Sequence, residues 1–441
     1  MKLFGKLMVV GVILFAALQA LRPGIPSKPA TAELQATPEV RHVFEKDCYS
    51  CHSDQRRLAW FDRIVPAYWL VRHDILTARE HLNFSTLGSK PAGIQKATLY
   101  EAVNMIQLGA MPLPSFVRLH PEAKVTPEDL AAVKAYLAPW TTPLNTAVPP
   151  EVPAPVSLET VAPELNGVPF DAAFEKWKLL STTDRGDNNT VRFILGNDVA
   201  MQAAQTGNIL PWPDGARFAK IAWQQERGPD GLIHPGSFVQ VELMLKNAQL
   251  YKDTEGWGWG RWRGLDLEPY GKDAHFVTEC TSCHLPLRGN DYVYSLLISI
   301  AKVPGQEVVN NAAAMLPASL PYQPLGWSPI TMYVDPATRT MAALFGNSAA
   351  EQAAHANRTP SYPAGALLAL VIWAQRDDPH WFGARIPDAP KSVEFVQVSA
   401  NGQPASYRHF AGAVLAEDQG AAKAATLRTT FILGLAPARL P

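Results

Sequence analysis

The chain has 441 residues, enough for about two to four domains that each bury a core of their own. Its 39 basic and 40 acidic residues leave a formal net charge of -1, which argues against a nucleic-acid partner because such a partner requires a basic surface. Four cysteines are too few for a disulfide framework in a chain of this length.

The amino terminus has the composition of an export segment. Lys2 and Lys6 precede an apolar run from Leu7 to Leu18. This run is short for an ordinary membrane span. We therefore predict that residues 1–35 are an export signal or an N-terminal membrane anchor, with cleavage and retention both open. Either outcome places the protein in the periplasm of a bacterium, tethered to the inner membrane if the segment is retained.

A helical domain is predicted for residues 36–140. Apolar residues recur at helical spacing from Ala97 to Leu108. Thr126 and Pro127 then begin a last helix, since a capping side chain followed by a proline in the first turn is typical of a helix start.

A linker is predicted between this domain and the rest of the chain. The stretch from Pro139 to Pro163 is rich in proline and has neither helical nor strand periodicity. Such a composition favours an extended chain. We place the linker at residues 141–168.

Beyond the linker, the chain contains an internal repeat at a spacing of 150 positions. The matching pairs are Trp177 with Trp327, Gly196-Asn197 with Gly346-Asn347, Ala200 with Ala350, Gln202-Ala203-Ala204 with Gln352-Ala353-Ala354, Pro213 with Pro363, Gly215-Ala216 with Gly365-Ala366, Trp223 with Trp373 and Gln225 with Gln375. Phe238-Val239-Gln240-Val241 resembles Phe395-Val396-Gln397-Val398 at a slightly different spacing. We predict two copies of one domain, at residues 169–305 and 306–441.

All four cysteines lie in two Cys-x-x-Cys-His pentads, Cys48 to His52 and Cys280 to His284. In such a pentad each thiol can add to one haem vinyl group, and the histidine can ligate the iron. The pentads therefore predict two covalently bound haem c groups, held by Cys48, Cys51, His52, Cys280, Cys283 and His284. The alternatives are a redox dithiol and a shared zinc site, but a dithiol does not need the histidine.

The second copy has no cysteine and therefore serves as an internal control. Lys220 lies in a strand-like alternation where the second copy has Leu370, so we predict that the lysine faces the interior of its domain. The alternative is a lysine whose stem follows the surface. Arg192 stands where the second copy has Ala342 and is a candidate partner of a haem propionate or of an iron-bound ligand, or else forms an ordinary surface ion pair.

The sixth ligand of the first haem is predicted to be Met111. It lies in a Gly-Ala-Met-Pro sequence after a helix, and a His/Met haem is an electron carrier of low reactivity. His73 and His81 are alternatives. For the second haem no comparable methionine is present, and the aromatic residues from Gly256 to Trp262 favour a five-coordinate iron that binds small molecules.

Two stretches of the chain resemble known families. Residues from about Pro169 to Ser299 resemble cytochrome P-460, a periplasmic c-haem family that oxidises hydroxylamine. The resemblance rests on Asp187-Asn188-Asn189-Thr190-Val191-Arg192, Gly196-Asn197-Asp198-Val199-Ala200, Trp212-Pro213-Asp214-Gly215, Gly256-Trp257-Gly258, Cys280 to His284 and Asn290-Asp291-Tyr292-Val293. Residues 38–138 resemble a small haem-binding domain with the first pentad, Trp69, His73, Leu82-Asn83-Phe84-Ser85 and Met111-Pro112.

The resemblance implies a multidomain protein. An N-terminal all-α c-type haem domain would precede two tandem, mainly-β (α+β) P-460-like domains, the second of them degenerate and haemless. In the family a lysine is bonded to the porphyrin edge, and Lys220 matches its place, with Lys246 as the other candidate. Some members have a carboxylate soon after the haem histidine that accepts protons, whereas the first acid here is Asp291.

Three functions remain open from the sequence. The first is a haem oxidoreductase that oxidises hydroxylamine at the second haem and passes electrons through the first to a soluble or membrane redox partner, such as another cytochrome c. Lys220 and Arg192 are its candidate catalytic residues. The second is a nitric-oxide-binding protein like cytochrome c′-beta, which shares the fold without the crosslink. The third is a plain dihaem electron-transfer protein.

Overall fold

The computed structural model describes residues 2–55, 57–138, 157–298, 310–356, 361–399 and 405–441. The chain divides into two compact units, Met1–Thr141 and Thr142–Pro441. Most of the predicted linker at 141–168 lies outside the described residues, which resume at residue 157.

The first unit is helical, as predicted. Its helices are α1 (Lys2–Gln19), α2 (Pro38–Asp47), α3 (Tyr49–His52), α4 (Ala67–His81), α5 (Phe84–Leu87), α6 (Ala92–Gln107), α7 (Pro114–Val117) and α8 (Pro127–Leu137). The last of these begins at the predicted cap, because the side chains of Thr126 and Asp129 accept hydrogen bonds from each other's backbone amides.

The amino-terminal segment contacts the helical unit directly. The hydroxyl of Tyr68 donates to the carbonyl of Pro23 at 2.5 Å, and Arg79 donates to the carbonyl of Pro26 at 2.5 Å. Ile25 between them is buried. Across the described residues, no helix combines the length and the apolar character needed to cross a membrane. Whether this segment is a signal or an anchor stays a prediction.

The second unit contains two sets of strands. The first set is β1 (Lys178–Arg185), β2 (Thr190–Gly196), helix α9 (Asp198–Thr206), β3 (Arg217–Arg227), β4 (Ile233–Lys246), β5 (Trp257–Arg263), β6 (Glu268–Pro269) and helix α10 (Val277–His284). The second set is β7 (Ser328–Asp335), β8 (Thr340–Gly346), helix α11 (Ser348–Ala356), β9 (Leu367–Asp377), β10 (Ala384–Gln397), β11 (Ser406–Ala411), β12 (Ala416–Glu417) and helix α12 (Ala425–Gly434).

The two sets join into a closed antiparallel ring. Neighbouring strands pair in the order β1-β2-β3-β4-β7-β8-β9-β10, and β10 returns to pair with β1. The junctions are short: Ile233 pairs with Val334, and Asp184 and Arg185 pair with Arg385 and Ala384. Closure leaves the ring without free edges, while β5–β6 and β11–β12 extend from it.

Each strand presents one face to a core shared by both sets and the other face to a helix-covered layer. Ala219, Ile221 and Trp223 of β3 point into the shared core. The alternate positions, Phe218 and Lys220, therefore lie outside the ring. The predicted interior position of Lys220 is thus on the outer face of the first set, where Phe218 packs with residues of α9 and Cys280 of α10.

The spacing of 150 positions holds for the elements up to β3 and β9, but one sequence pairing was wrong. Lys220 lies opposite Glu242, and Leu370 lies opposite Glu394, so Glu242 corresponds to Glu394. The predicted match of Phe238 with Phe395 therefore misaligns the two hairpins. The two hairpins have bulges at the same positions, and the spacing changes from 150 to 152 in the connection between the paired strands, which runs from Arg227 to Ile233 in the first set and from Asp377 to Arg385 in the second.

The repeated Gly-Asn pair has a structural role. Asn197 caps α9 by accepting from the amide of Ala200 at 3.0 Å, and its side chain also bonds the backbone of Gly215 and Arg217. Asn347 makes the same three bonds in the second set, to Ala350, Gly365 and Leu367. These residues recur because they tie a helix start to the next strand.

Removing this tie should destabilise the fold. In an Asn347→Ala variant we expect the free energy of unfolding, measured by chemical denaturation, to fall by about 2 kcal/mol, because a helix cap is lost and backbone groups lose partners. Ser348→Ala, at the exposed neighbour, is the control and should change it by less than about 0.5 kcal/mol. Equal effects of the two substitutions would contradict the assignment.

Candidate haem-binding sites

The first pentad lies at the junction of α2 and α3, against the end of α4. Nδ1 of His52 is 3.1 Å from the carbonyl oxygen of Ala78 and 3.0 Å from that of Leu82. Nδ1 therefore carries the proton, and Nε2 is left with the lone pair that an iron requires. Burial lowers the pKa of His52, so the ring is neutral, as a metal ligand must be.

The predicted sixth ligands lie elsewhere in the helical unit. Met111 follows α6, and its amide donates to the carbonyl of Met105 at 3.1 Å. His73 and His81 belong to α4 and are exposed. Ligation of iron by Met111 stays a prediction.

The second pentad forms most of α10, which places Cys280, Cys283 and His284 on adjacent turns. Nδ1 of His284 donates to the carbonyl of Tyr292 at 2.6 Å, which again leaves Nε2 for iron. The His284 ring lies 4.5 Å from the ring of Trp259 and 4.9 Å from that of Tyr294, measured between centroids. Burial lowers the pKa of His284 to about 4, so it is neutral at physiological pH.

The thiols do not have the electrostatics of a redox dithiol. Burial raises the pKa of Cys48 to about 12, of Cys51 to about 11 and of Cys280 to about 12. A reactive dithiol needs a lowered pKa. Within the described ranges, no three His, Cys, Asp or Glu side chains come together to hold a metal ion.

A row of charged side chains crosses the outer face of the first set beside α10. Cross-strand pairing aligns Ile194, Lys220, Glu242 and Arg261 on four successive strands. Lys220 Nζ lies 2.5 Å from Glu242 Oε2, and Arg261 Nε lies 3.5 Å from Glu242 Oε1. Trp259, which packs on His284, is two residues from Arg261 on the same face of β5.

Lys220 is partly open to solvent, with 30% of its side chain exposed, whereas Leu370 in the second set is 1% exposed. Desolvation lowers the pKa of Lys220 to about 8, against the opposing effect of Glu242. Burial alone would raise the pKa of Glu242, but Lys220 and Arg261 outweigh it and hold that pKa far below its usual range. The pair is therefore ionised at neutral pH.

Arg192 lies on the same outer face of the first set as Lys220. It pairs with Ala222, two residues along β3 from Lys220. It is 7% exposed, and its Nε donates to the hydroxyl of Thr190 at 3.0 Å. Burial lowers its pKa to about 9. The alternative of an ordinary surface ion pair does not fit a buried guanidinium bonded to a hydroxyl.

Lys246 and Asp291 pair with each other. Lys246 Nζ lies 2.8 Å from the Asp291 carboxylate, and both side chains are at most 10% exposed. Asp291 also accepts from the amide of Trp212 at 2.8 Å. Lys246 therefore pairs with Asp291 and not with the charged residues next to Lys220. Asp291 has a structural role, since its carboxylate is already paired, and it is not available as a proton acceptor.

Glu242 and Arg261 were not among the residues predicted from the sequence. A signal for Glu242 was present, because a lysine on a largely buried strand face favours a carboxylate opposite it on the neighbouring strand, and Glu394 holds the same register in the second set. To place Glu242 opposite Lys220, one must know the register of the β3–β4 hairpin. The bulges in this hairpin prevent that register from being counted from the turn.

The residues present fit a covalently attached haem at both pentads. Each site offers two partly exposed thiols and a neutral histidine whose Nε2 is unused. At the second site Trp259 Nε1 is buried with no hydrogen-bond partner among the described residues, as expected where a further group completes the surroundings. Fold and sites thus define a haem protein.

Comparison with known families agrees with this class. Residues 8–139 match the model of a haem-binding domain, and residues 171–295 match that of cytochrome P460. No curated protein matches the chain. The chain therefore contains a helical haem-binding domain followed by a β-rich cytochrome P460 domain, and haem is its cofactor.

Proposed function

We propose that this protein is a periplasmic dihaem c-type cytochrome that oxidises hydroxylamine, or a related small nitrogen species, at its second haem. The observation that carries the proposal is the position of Lys220. Its amine lies on the outer face that α10 covers, in a row where the second set has leucine. Lys220 pairs with Glu242 and Glu242 with Arg261, which lies two residues from the Trp259 that packs on His284.

The iron would bind the substrate and accept its electrons, and the chain provides the surroundings. In the proposed site Lys220 is bonded to the porphyrin edge, as the P460 resemblance implies. Hydroxylamine oxidation releases protons together with electrons, so a base is required. Glu242 is the nearest carboxylate to Lys220 and takes that role in the proposal.

Crosslinking would also prepare Glu242 for this role. The ammonium of Lys220 is the strongest of the charges that hold the pKa of Glu242 down. A lysine nitrogen bonded to the porphyrin no longer carries that full charge, so the pKa of Glu242 rises and the carboxylate becomes a better base. Arg192 and Arg261 remain as cations that favour an anionic ligand or a propionate.

The first haem, on Cys48, Cys51 and His52, completes the proposal as the electron exit. With Met111 as sixth ligand it would bind no substrate and would pass electrons singly to a soluble or membrane redox partner. The second set of strands is then a haemless P460-like repeat. Helix α12 follows β12 as α10 follows β6, and it contains neither cysteine nor histidine.

The second candidate is nitric oxide binding without a crosslink. Two observations favour it: Asp291 is occupied by Lys246, and the low pKa of Glu242 makes it a poor base while Lys220 remains charged. Anaerobic titration separates the candidates. Hydroxylamine turnover supports the oxidase, nitric oxide binding without turnover supports this alternative, and binding of neither ligand leaves plain electron transfer.

The proton acceptor can be tested by Glu242→Gln. We expect hydroxylamine turnover to fall by about 100-fold, as for loss of a general base. The reduction potential of the second haem should also rise, because a nearby negative charge is removed. Stopped-flow turnover and redox titration measure the two effects.

The matched control is Glu394→Gln, the same register position in the second set. It should lower stability, since Glu394 pairs with Arg428 at 2.6 Å, and leave turnover and potential unchanged. Unchanged turnover in Glu242→Gln would remove Glu242 from the mechanism.

A further inference from the structure

A hairpin loop of the second set of strands lies in the surroundings of the second pentad. This loop, residues 378–383, joins β9 to β10 and lies against the turn between β1 and β2, where the amide of Gly186 donates to the carbonyl of Gly383 at 2.9 Å. The cysteine-free half of the unit is therefore in contact with the half that carries α10.

Two residues of the loop hold Tyr294. Nδ1 of His380, itself 6% exposed, donates to the carbonyl of Tyr294 at 2.7 Å. The ring of Trp381 packs edge-on against the Tyr294 ring, with centroids 5.7 Å apart. Tyr294 is thus fixed at its backbone and at its ring by residues that lie far away in sequence.

Tyr294 in turn contacts the haem-binding helix. Its hydroxyl donates to the carbonyl of Cys283 at 2.7 Å, and its ring meets the His284 ring edge-on at 4.9 Å. Tyr294 comes two residues after Tyr292, whose carbonyl accepts the hydrogen bond from Nδ1 of His284. Any displacement of Tyr294 therefore moves both the packing and the hydrogen bond of the histidine.

The segment before Tyr294 needs such external support. Asp291 and Tyr292 have φ angles of 47° and 67°, in the left-handed region that non-glycine residues adopt rarely. The ion pair with Lys246 holds the start of this segment at Asp291. The His380 and Trp381 contacts hold its end.

Trp381 is anchored on its other side. The guanidinium of Arg185 lies 4.0 Å from the centroid of the Trp381 ring, and Trp381 Nε1 donates to Asp187 at 3.3 Å. Arg185 and Asp187 form a bidentate pair at 2.6 and 2.5 Å. Arg185 and Asp187 of the first set therefore hold this loop of the second set in place.

We infer that the cysteine-free set of strands is part of the second haem site, with His380 and Trp381 as positioning residues that fix the proximal histidine His284 through Tyr294. The inference rests on the proposed haem at Cys280, Cys283 and His284, but not on hydroxylamine turnover. The hydrogen bond to a ligating histidine controls its donor strength and hence the reduction potential of the iron.

Resonance Raman spectroscopy of the ferrous full-length protein tests the inference through the iron–histidine stretching band of the five-coordinate haem. In Trp381→Leu and His380→Gln we expect the band to broaden and move to lower frequency, because the His284–Tyr292 hydrogen bond loosens. The reduction potential of that haem should rise for the same reason. His380→Gln preserves size and serves if Trp381→Leu folds poorly.

The control is Trp327→Leu, a tryptophan of the same half that packs on Tyr322 instead of Tyr294. It should lower thermal stability and leave band and potential at wild-type values. In a Tyr294→Leu background, Trp381→Leu should add no further shift, because Trp381 acts on His284 only through the Tyr294 ring. The inference would be overturned if Trp381→Leu and His380→Gln both kept the wild-type iron–histidine band and reduction potential. It would also be overturned if the shifts of Trp381→Leu and Tyr294→Leu were additive.

These outcomes are separable from the fate of the proposed function. A second haem with an ordinary c-type spectrum and no hydroxylamine turnover ends the oxidase proposal, while the iron–histidine band still reports on His380 and Trp381. Haem content is measured first. If the second pentad carries no haem, both the oxidase proposal and the inference about His380 and Trp381 fail.

Discussion

In a Lys220→Leu variant, the strongly red-shifted ferrous Soret band expected of the wild-type protein should give way to an ordinary c-type spectrum. Leucine is the residue that the second set has at this position, so the fold has a precedent for it. Without the amine no bond to the porphyrin can form, and hydroxylamine oxidation should fall at least about 100-fold. Mass spectrometry of a proteolytic digest checks the bond directly, because the wild-type Lys220 peptide should carry the haem mass.

Lys220→Arg is the matched control for charge. A guanidinium preserves the ion pair with Glu242 at neutral pH but is not expected to replace the amine in the crosslink. Both variants should therefore lose the red-shifted band, but only Lys220→Arg keeps a full positive charge beside Glu242. An unmodified Lys220 peptide from the active wild-type protein would end the crosslink hypothesis, and with it the strongest argument for hydroxylamine oxidation.

Removal of the two thiols of one pentad at a time should show which activity depends on which haem. In a Cys280→Ser, Cys283→Ser variant we expect haem content to fall from two groups per chain to one, with loss of all hydroxylamine and nitric oxide binding, because a c-type haem is attached through these sulfurs. Pyridine haemochrome absorbance together with the intact mass of the chain measures the content.

The counterpart variant, Cys48→Ser, Cys51→Ser, should also retain one haem. It should still bind small ligands and reduce its remaining haem with hydroxylamine, but pass electrons slowly to an external cytochrome c. Identical behaviour of the two variants would contradict the proposed division of labour. A wild-type haem content of one would show that only one pentad is used.

The local parts of this molecule could be predicted from sequence because local interactions determine them. The capping box at Thr126 and Asp129 involves neighbours in the chain, and the pentads place thiols and histidine on adjacent turns of short helices. The repeat predicted the helices after Asn197 and Asn347 and the strands that follow them. It also selected Lys220, since a charge on a face that is apolar in the other copy is informative.

The rest of the site depends on contacts between residues that are distant in sequence. Glu242 meets Lys220 through the register of the β3–β4 hairpin, in which Phe238 corresponds to Pro390 and not to Phe395, so the sequence pairing did not find it. Sequence likewise gave no hint that a cysteine-free hairpin would hold Tyr294.

By itself, then, the sequence determined that two Cys-x-x-Cys-His pentads are present and that the first lies among helices, and it predicted an internal repeat in the remainder. These features depend on spacing along the chain, and spacing is visible in a sequence. The tertiary structure alone decided that Lys220 faces outward beneath α10, that Glu242 neutralises it and that Asp291 is occupied by Lys246. Strand register and ring closure place these groups together, and both depend on the whole set of long-range hydrogen bonds rather than on any local pattern.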